Sequence, residues 1–135
     1  MTKIESQKIL GTLTSFRERG VKLLLLESTN VEIKSDRVAE SVVHDTIASI
    51  FRKTEGRIIV TSFASSLDRV QGVINAALRS HRKVAVYGRS MDKAINIAMN
   101  LGYLKVPRNI LIDNRRINNV PDNQLVFLCT GSQGE

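Results

Sequence analysis

The sequence predicts a three-layer α/β fold, in which helices cover both faces of a mostly parallel sheet. Two observations support this prediction. Several short segments are apolar almost throughout, which is typical of strands buried on both faces, and segments with helical periodicity separate them along the chain. The length of 135 residues matches the size of one domain, so we predict a single α/β domain over residues 1–135.

The composition favours an anionic partner and a reducing compartment. The net charge is +7, from 20 basic and 13 acidic side chains, which favours binding to RNA, DNA or a nucleotide phosphate, although a soluble domain that is basic without such a partner is also compatible with it. The single cysteine, Cys129, fits a cytoplasmic protein. The longest uninterrupted aliphatic run, Leu23–Leu26, is far shorter than the roughly 20 residues of a membrane helix, so we expect no membrane partner.

The first part of the chain predicts a helix, a buried strand and a second helix. Apolar residues at helical spacing indicate a helix over about 3–19, and Gly20 can adopt the positive φ that ends it. The apolar run that follows predicts a strand over about 21–27, buried on both faces. Ser35 is a candidate N-cap for a long helix over about 36–54.

The remainder of the chain predicts strands and helices in alternation. Ser65 and Asp68 have the spacing of a capping box, in which each side chain bonds to the backbone amide of the other residue at the start of a helix. Pro107 and Pro121 bracket a less regular part, for which we predict a short strand and a turn of helix. In order, the predicted elements are strand 57–63, helix 66–80, strand 83–88, helix 91–101, short strand 110–112 and strand 124–129.

The predicted strands end in small and hydroxyl-bearing residues. In a parallel sheet the carboxyl ends of the strands lie along one edge, and ligands bind outside that edge. Small residues let a phosphate approach the backbone, and helix N-termini supply free amides. The edge therefore predicts an anion or nucleotide site, although Ser and Gly are also ordinary turn and cap residues. The strand ends are Glu27-Ser28-Thr29, Ala64-Ser65-Ser66, Gly88-Arg89-Ser90 and Thr130-Gly131-Ser132.

Glu27 is an unusual residue for the end of a buried strand. A carboxylate there is unfavourable unless a nearby group uses or pairs its charge. One interpretation is a helix cap or a structural hydrogen bond. The other is that Glu27 belongs to a site at the carboxyl edge of the sheet.

The sequence lacks several common catalytic and binding motifs. It contains no P-loop, and no Gly-x-Gly-x-x-Gly follows a predicted strand. With only His44, His81 and Cys129, no zinc cluster with ligand spacing can be built, and no Ser-His-Asp set is evident. By its chemistry alone, the chain is not expected to be a complete enzyme.

A series of short motifs runs from about Gly20 to Glu135: Leu26–Asn30, Glu55–Val60, Phe63–Ser65, Arg69–Gln71, Gly88–Met91, Ile117–Asn119 and Cys129–Glu135. In this order and spacing they resemble the β-CASP domain of the ribonuclease J family, which has a Rossmann-like α/β fold. Proteins of this family combine a zinc-dependent metallo-β-lactamase domain with an inserted β-CASP domain. They cut RNA endonucleolytically and also degrade it from a 5′-monophosphate end.

The resemblance implies a role for particular residues. Glu27 corresponds to the acidic motif A, which helps to position the metal-site histidine network at the domain interface, so it is the candidate catalytic residue. The family more often has Asp there, which leaves the fine geometry open. The Thr130–Gly134 edge is similar to the part that faces the RNA channel, with Ser132 near the nucleotide phosphate. The candidate substrate-binding residues are Ser28, Ser65, Arg89, Ser90, Gly131 and Ser132.

The departures from the family pattern concern metal binding. The His-x-His-x-Asp-His motif of the metallo-β-lactamase domain and the two later β-CASP histidine motifs are absent. We therefore expect no cofactor in this chain, with zinc in a longer parent ribonuclease, and we predict that the chain alone does not hydrolyse RNA. It resembles a fragment of such a protein, in which the helix at 1–19 can link to the metallo-β-lactamase domain. A homo-oligomeric parent is compatible with this pattern.

Two other functions are compatible with the sequence. The hydroxyl-lined strand ends are also compatible with a free-standing nucleotide-binding or protein-interaction module that has no nuclease role. A DNA-processing β-CASP enzyme is a closer alternative. The positions that distinguish RNA from DNA enzymes in that group lie beyond Glu135.

Overall fold

The computed structural model describes residues 3–23, 25, 32 and 38–131. The chain divides into two units, Met1–Ala39 and Glu40–Glu135. In the first unit, α1 spans Lys3–Arg19 as predicted, and Gly20 follows it with a φ of 74°. None of the described helices is both long and apolar enough to cross a membrane.

The predicted strand over 21–27 is not found at the positions that the structure describes. Residues 21–23 and 25 have no strand assignment, and the side chains of Leu23 and Leu25 are 73% and 85% exposed. A run of leucines indicates that burial of these side chains would be favourable. It does not specify which strand of a sheet would pair with the segment. The rest of that segment, including Glu27, lies outside the described residues, as do Ser28 and the predicted N-cap Ser35.

The second unit contains a four-stranded sheet with the strand order β1-β4-β2-β3, in which every pair of neighbours is parallel. This architecture confirms the α/β prediction of a parallel sheet with helices packed around it. A short 3-10 helix at Asn114–Asn119 and another at Asp122–Gln124 connect β3 to β4. The other elements are α2 (Glu40–Lys53), β1 (Ile58–Ser62), α3 (Leu67–Arg79), β2 (Lys83–Tyr87), α4 (Arg89–Asn100), β3 (Leu111–Ile112) and β4 (Leu125–Thr130).

The start of α3 differs from the sequence prediction. The predicted capping box of Ser65 and Asp68 is wrong, because the N-cap is Ser66 and its side chain makes no capping hydrogen bond. A turn in which the Ser66 amide donates to the carbonyl of Phe63 precedes the helix. This turn moves the helix start one residue along, so Asp68 no longer stands three residues after the N-cap.

The hydrophobic core lies between three helices and one face of the sheet. On that face the strands contribute Ile58, Val84, Val126 and Leu128, which are all at least nine-tenths buried. Side chains on opposite faces alternate along a strand, and the opposite face is more open, with Ile59 70% exposed and Tyr87 stacked obliquely on Phe127 at 5.5 Å between ring centroids. The helices contribute Ala48, Phe51, Val70, Val73, Ile74, Ala76, Ala77, Met91, Ile95 and Ala98.

α2 and α3 are closely packed where His44 faces Gly72. A Cβ atom added at Gly72 would lie 2.5 Å from His44 Cδ2 and 2.8 Å from His44 Nε2. His44 Nε2 also lies 3.2 Å from the carbonyl oxygen of Asp68. Glycine therefore allows the imidazole to lie against the backbone of α3 and to bond to its first turn.

We expect Gly72→Ala to lower the free energy of unfolding, although alanine favours a helix over glycine by about 1 kcal/mol. The added methyl group displaces the imidazole, and overpacking of this kind costs roughly 1–3 kcal/mol. In a His44→Ala background the same substitution should instead be neutral or stabilising. Urea denaturation of the four variants of this double-mutant cycle measures the difference, and equal effects of Gly72→Ala in both backgrounds would contradict the proposed contact.

Candidate anion site at the carboxyl edge of the sheet

The three longer strands end side by side at one edge of the sheet. Ser62 of β1 pairs with Thr130 of β4, and Cys129 of β4 pairs with Tyr87 of β2. The segments that follow β1 and β2 lead directly into α3 and α4. The N-termini of two helices therefore lie at the edge where the strands end, and unpaired amides at helix N-termini favour anions.

The structure places four of the predicted substrate-binding residues at this edge. Ser65 is exposed in the turn between β1 and α3, Arg89 and Ser90 form the first turn of α4, and Gly131 follows β4 directly. Their common location follows from the parallel sheet, as predicted. The catalytic candidate Glu27 and the binding candidates Ser28 and Ser132 lie outside the described residues, so their roles stay predictions.

Two glycines allow close backbone packing at this edge. Gly88 has a φ of 98°, and a Cβ atom there would lie 2.4 Å from Oγ1 of Thr130. A Cβ atom at Gly131 would lie 2.7 Å from Cβ of Thr61. At Gly88 a side chain would be unfavourable in backbone conformation as well as in space, whereas at Gly131 the neighbouring strand is the obstacle. The strand ends on either side of β4 are thus held close together.

A cavity of about 400 Å³ lies at the ends of β1 and β4. Arg69 is the charged residue in its wall, and the other lining residues are Thr61, Ser62, Phe63, Ser66 and Gly131. Phe63 is 65% exposed, so an aromatic surface is available beside the hydroxyl groups. Hydroxyls, a guanidinium and a helix N-terminus together are suited to a phosphate, and an exposed ring is suited to stacking on a base.

Arg69 is held in place by Glu40 at the start of α2. Its Nη2 donates to Glu40 Oε1 at 2.8 Å and its Nε to Oε2 at 3.2 Å, a two-point ion pair between partly buried side chains. The hydrogen bond from Arg69 holds the pKa of Glu40 below its usual value, against the opposing effect of burial. The remaining N–H groups of the guanidinium are available to a ligand.

A second cavity, of about 460 Å³, lies at the ends of β2 and β3. Its wall contains Arg89 but also Asp92 and Asp113. The side-chain hydrogen bond from Arg115 holds the pKa of Asp113 well below its usual value, which keeps this carboxylate charged. Asp113 is paired with Arg115, but Asp92 lines the same cavity as Arg89. No carboxylate among the described residues lines the cavity beside Arg69, so an anion is favoured there instead.

One group among the described residues has the composition of a metal site, but its contacts do not fit a catalytic zinc. Glu40, His44 and Asp68 place one ligand atom each within 4.8 Å of one another. However, Glu40 already accepts bonds from Arg69 through both oxygens, and the nitrogen of His44 that faces the group contacts the carbonyl of Asp68. The guanidinium supplies the positive charge that a metal ion would bring, so we assign no reaction step through these residues.

The sequence prediction did not assign Arg69 a role in the site. Acidic residues are usually favoured in the first turn of a helix because they interact favourably with the positive end of its dipole. An arginine there, directly after the acidic Asp68, indicates a carboxylate partner elsewhere or an anionic ligand. This signal identifies the position, but it does not identify Glu40, which lies 29 residues earlier.

Known proteins are similar to this chain over most of its length. The model of a family described as "Ribonuclease J, beta-CASP domain" matches residues 55–135. The chain is similar to ribonuclease J 1 of Streptococcus pyogenes (43% identity over 93% of the chain) and to ribonuclease J of Synechocystis (42% over 93%) and Mycoplasma genitalium (38% over 87%). The matched segments cover 22%, 20% and 21% of these relatives, so the chain spans about a fifth of their length.

We expect Gly88→Ala to destabilise the protein more than Gly102→Ala. Both glycines have a positive φ, but nothing lies within 4 Å of a Cβ atom at Gly102. Gly102→Ala should therefore cost only the backbone strain of roughly 1–2 kcal/mol, and Gly88→Ala roughly 1–3 kcal/mol more for the contact with Thr130. Urea denaturation measures both, and Thr130→Ala should reduce the excess; an unchanged excess would contradict this contact.

We expect the Glu40–Arg69 ion pair to make stability depend on pH in the acidic range. The pKa of Glu40 is lowered in the folded state from its usual value of 4.5, so its contribution is fully present above that value and is lost as the pH falls through the folded pKa. Glu40→Gln should therefore give a shallower loss of stability between about pH 5 and pH 2, and Arg69→Gln should do the same. Chemical denaturation at several pH values tests this, and an undiminished slope in Glu40→Gln would contradict it.

Proposed function

The chain belongs to the β-CASP domain family of ribonuclease J, and from this premise we propose that it helps to bind and position RNA for hydrolysis at a metal site in a separate domain. The cavity beside Arg69 supports the proposal most directly. It combines a guanidinium, hydroxyl groups, an exposed phenyl ring and the start of a helix at the carboxyl edge of the sheet.

In this proposal, the first residues of α3 and the cavity wall bind the RNA backbone. The guanidinium of Arg69 is oriented by Glu40, so less side-chain freedom is lost when a phosphate binds. The Phe63 ring offers a surface on which a base stacks without sequence preference. The phosphate contacts would then fix the position of the RNA strand in the cavity, and the stacked base would fix the direction in which that RNA strand runs.

The metal chemistry belongs, in this proposal, to a part of a longer protein. Zinc in a separate metallo-β-lactamase domain would supply the activated water of hydrolysis. The chain described here would bind the RNA and present it to that domain. A cytoplasmic location is part of the same proposal.

We expect Phe63→Ala to weaken the binding of single-stranded RNA by about 5- to 150-fold, since stacking of one base contributes roughly 1–3 kcal/mol. Tyr103→Ala is the matched control, because Tyr103 is also a highly exposed aromatic residue, at 73%, and lies outside the cavity. Fluorescence anisotropy with a labelled oligonucleotide of about 12 nucleotides measures both. Equal affinity of the two variants would contradict the stacking surface.

Further measurements distinguish the proposed RNA-binding role from catalysis by this chain alone and from a free-standing nucleotide-binding module. Binding should weaken steeply as salt increases, as expected when phosphates are contacted, and added zinc should give no cleavage by this chain alone. Strong zinc-dependent cleavage would contradict the division of roles. Saturation by a nucleoside monophosphate without binding of the oligonucleotide would instead favour a free-standing nucleotide-binding module.

A further inference from the structure

A basic cavity lies at the opposite edge of the sheet, where β2 and β3 begin. It has a volume of about 270 Å³ and lies between the end of α3 and the loop that precedes β3. We refer to it as the basic cavity. It is lined by Leu78, His81, Arg82, Lys83, Arg108, Asn109 and Ile110.

The wall of the basic cavity contains cationic side chains and no carboxylate. Arg108 is exposed, and Lys83 donates from Nζ to the carbonyl of Asn109 at 2.7 Å. Within the described part of the chain, neither of them forms an ion pair with Asp or Glu. The positive charges of Lys83 and Arg108 are therefore not neutralised by a nearby carboxylate, and they favour an anion in the cavity.

Arg82 also lines the cavity, and its buried guanidinium is directed toward the residues that precede β1. It is only 4% exposed, and its guanidinium donates to the carbonyl oxygens of Thr54 and Gly56 and to no carboxylate among the described residues. Its Nε is buried with no hydrogen-bond partner there. Burial lowers the pKa of Arg82, so an anion nearby would offset a charge that is otherwise unfavourable.

These cations are not needed to cap the end of α3. The carbonyl oxygens of Ala76, Ala77 and Leu78 accept from the backbone amides of Ser80, Arg82 and His81. The hydroxyl of Ser80 also donates to the carbonyl of Ala76. Because the helix end is satisfied by these groups, Arg108 and the N–H groups of Lys83 that do not bond to Asn109 are available to an external ligand.

The two loops around the cavity contain residues with an unfavourable backbone conformation. His81 has a φ of 55° and Asn109 a φ of 68°, and they are the non-glycine residues with positive φ within the described ranges. Such conformations persist where the surrounding contacts enforce them. The loops therefore hold the cavity in a fixed shape, with Lys83 linking one loop to the other.

We propose that the basic cavity is a second contact site for an RNA backbone phosphate, separate from the cavity beside Arg69. The five residues of β2 separate the two edges, a distance of roughly 16 Å at about 3.3 Å per residue. An RNA strand that crosses the domain would contact both edges, whereas a mononucleotide would contact one. This inference rests on the proposed function, from which RNA is taken as the partner. It adds the path that the RNA strand follows across the domain.

The first test is the salt dependence of binding of a single-stranded RNA of about 12 nucleotides to the full 135-residue chain. Arg108→Gln should weaken binding and lower the slope of log K against log salt by about 1, because one phosphate contact is lost. Lys93→Gln is the control: it makes the same change in charge on the exposed surface of α4 and lines neither this cavity nor that beside Arg69. Equal effects of the two variants would overturn the proposal.

The second test locates the contact and separates the two proposals. In an NMR titration with the same RNA, the backbone amides of Asn109 and Ile110 should shift together with those of Phe63 and Gly131. Shifts confined to Phe63 and Gly131 would contradict RNA binding at the basic cavity but would still support the proposed function. Shifts confined to Asn109 and Ile110 would support the basic cavity and contradict the site beside Arg69.

The third test identifies the class of ligand. Inorganic phosphate and a polyglutamate peptide are titrated in parallel with the RNA. Weak shifts of Asn109 with phosphate and stronger shifts with RNA are expected, because RNA contacts more than one site. Tighter binding of polyglutamate than of RNA at Asn109 would overturn the proposal in favour of an acidic protein partner, and saturation by phosphate without any effect of RNA would leave only a small-anion site.

Discussion

The position of β4 between β1 and β2 is the constraint on which the rest of this unit depends. β4 is the last strand in the sequence, yet it forms parallel hydrogen bonds on both sides. Its Leu125, Val126 and Leu128 are fully buried, so this strand carries much of the apolar burial of the sheet. With β4 in the centre, the three longer strands must end together, and the segments after them gather at one edge.

The glycines at that edge are the consequence of this close packing. Gly88 and Gly131 lie against Thr130 and Thr61, where a Cβ atom would overlap the neighbouring side chain. The same absence of side chains exposes backbone groups to a ligand. One requirement, the close approach of neighbouring strand ends, thus prepares a surface on which a phosphate is able to bind.

The contact between α2 and α3 connects this edge to the core. His44 packs against Gly72, and one turn earlier on α2, Glu40 holds the guanidinium of Arg69 in two bonds. The first contact limits how α3 is placed, and the second orients the cation that faces the cavity. At the other edge, Arg82 ties the residues before β1 to the start of β2 through two carbonyl oxygens. The cavities at both edges are therefore bordered by arginines fixed by partners distant in sequence.

The sequence by itself determined the elements and the class of fold. Short apolar runs and helical periodicity located all of the strands from β1 to β4 and the helices between them, because these patterns depend on residues that are close in the chain. The parallel class followed from the same patterns, and it placed Ser65, Arg89 and Gly131 at one edge without knowledge of the strand order. The short motifs also indicated the family, which the comparison over residues 55–135 confirms.

Only the tertiary structure decided the strand order, the pairing of Arg69 with Glu40 and the N-cap of α3 at Ser66 instead of Ser65. It also decided that Leu23 and Leu25 are exposed despite a pattern that predicted burial. The physical reason is the same in each case. An apolar run favours an apolar partner and a charged side chain favours one of opposite charge, but many residues in the chain could serve as that partner. The partner is selected by the packing of distant segments, which no local pattern contains.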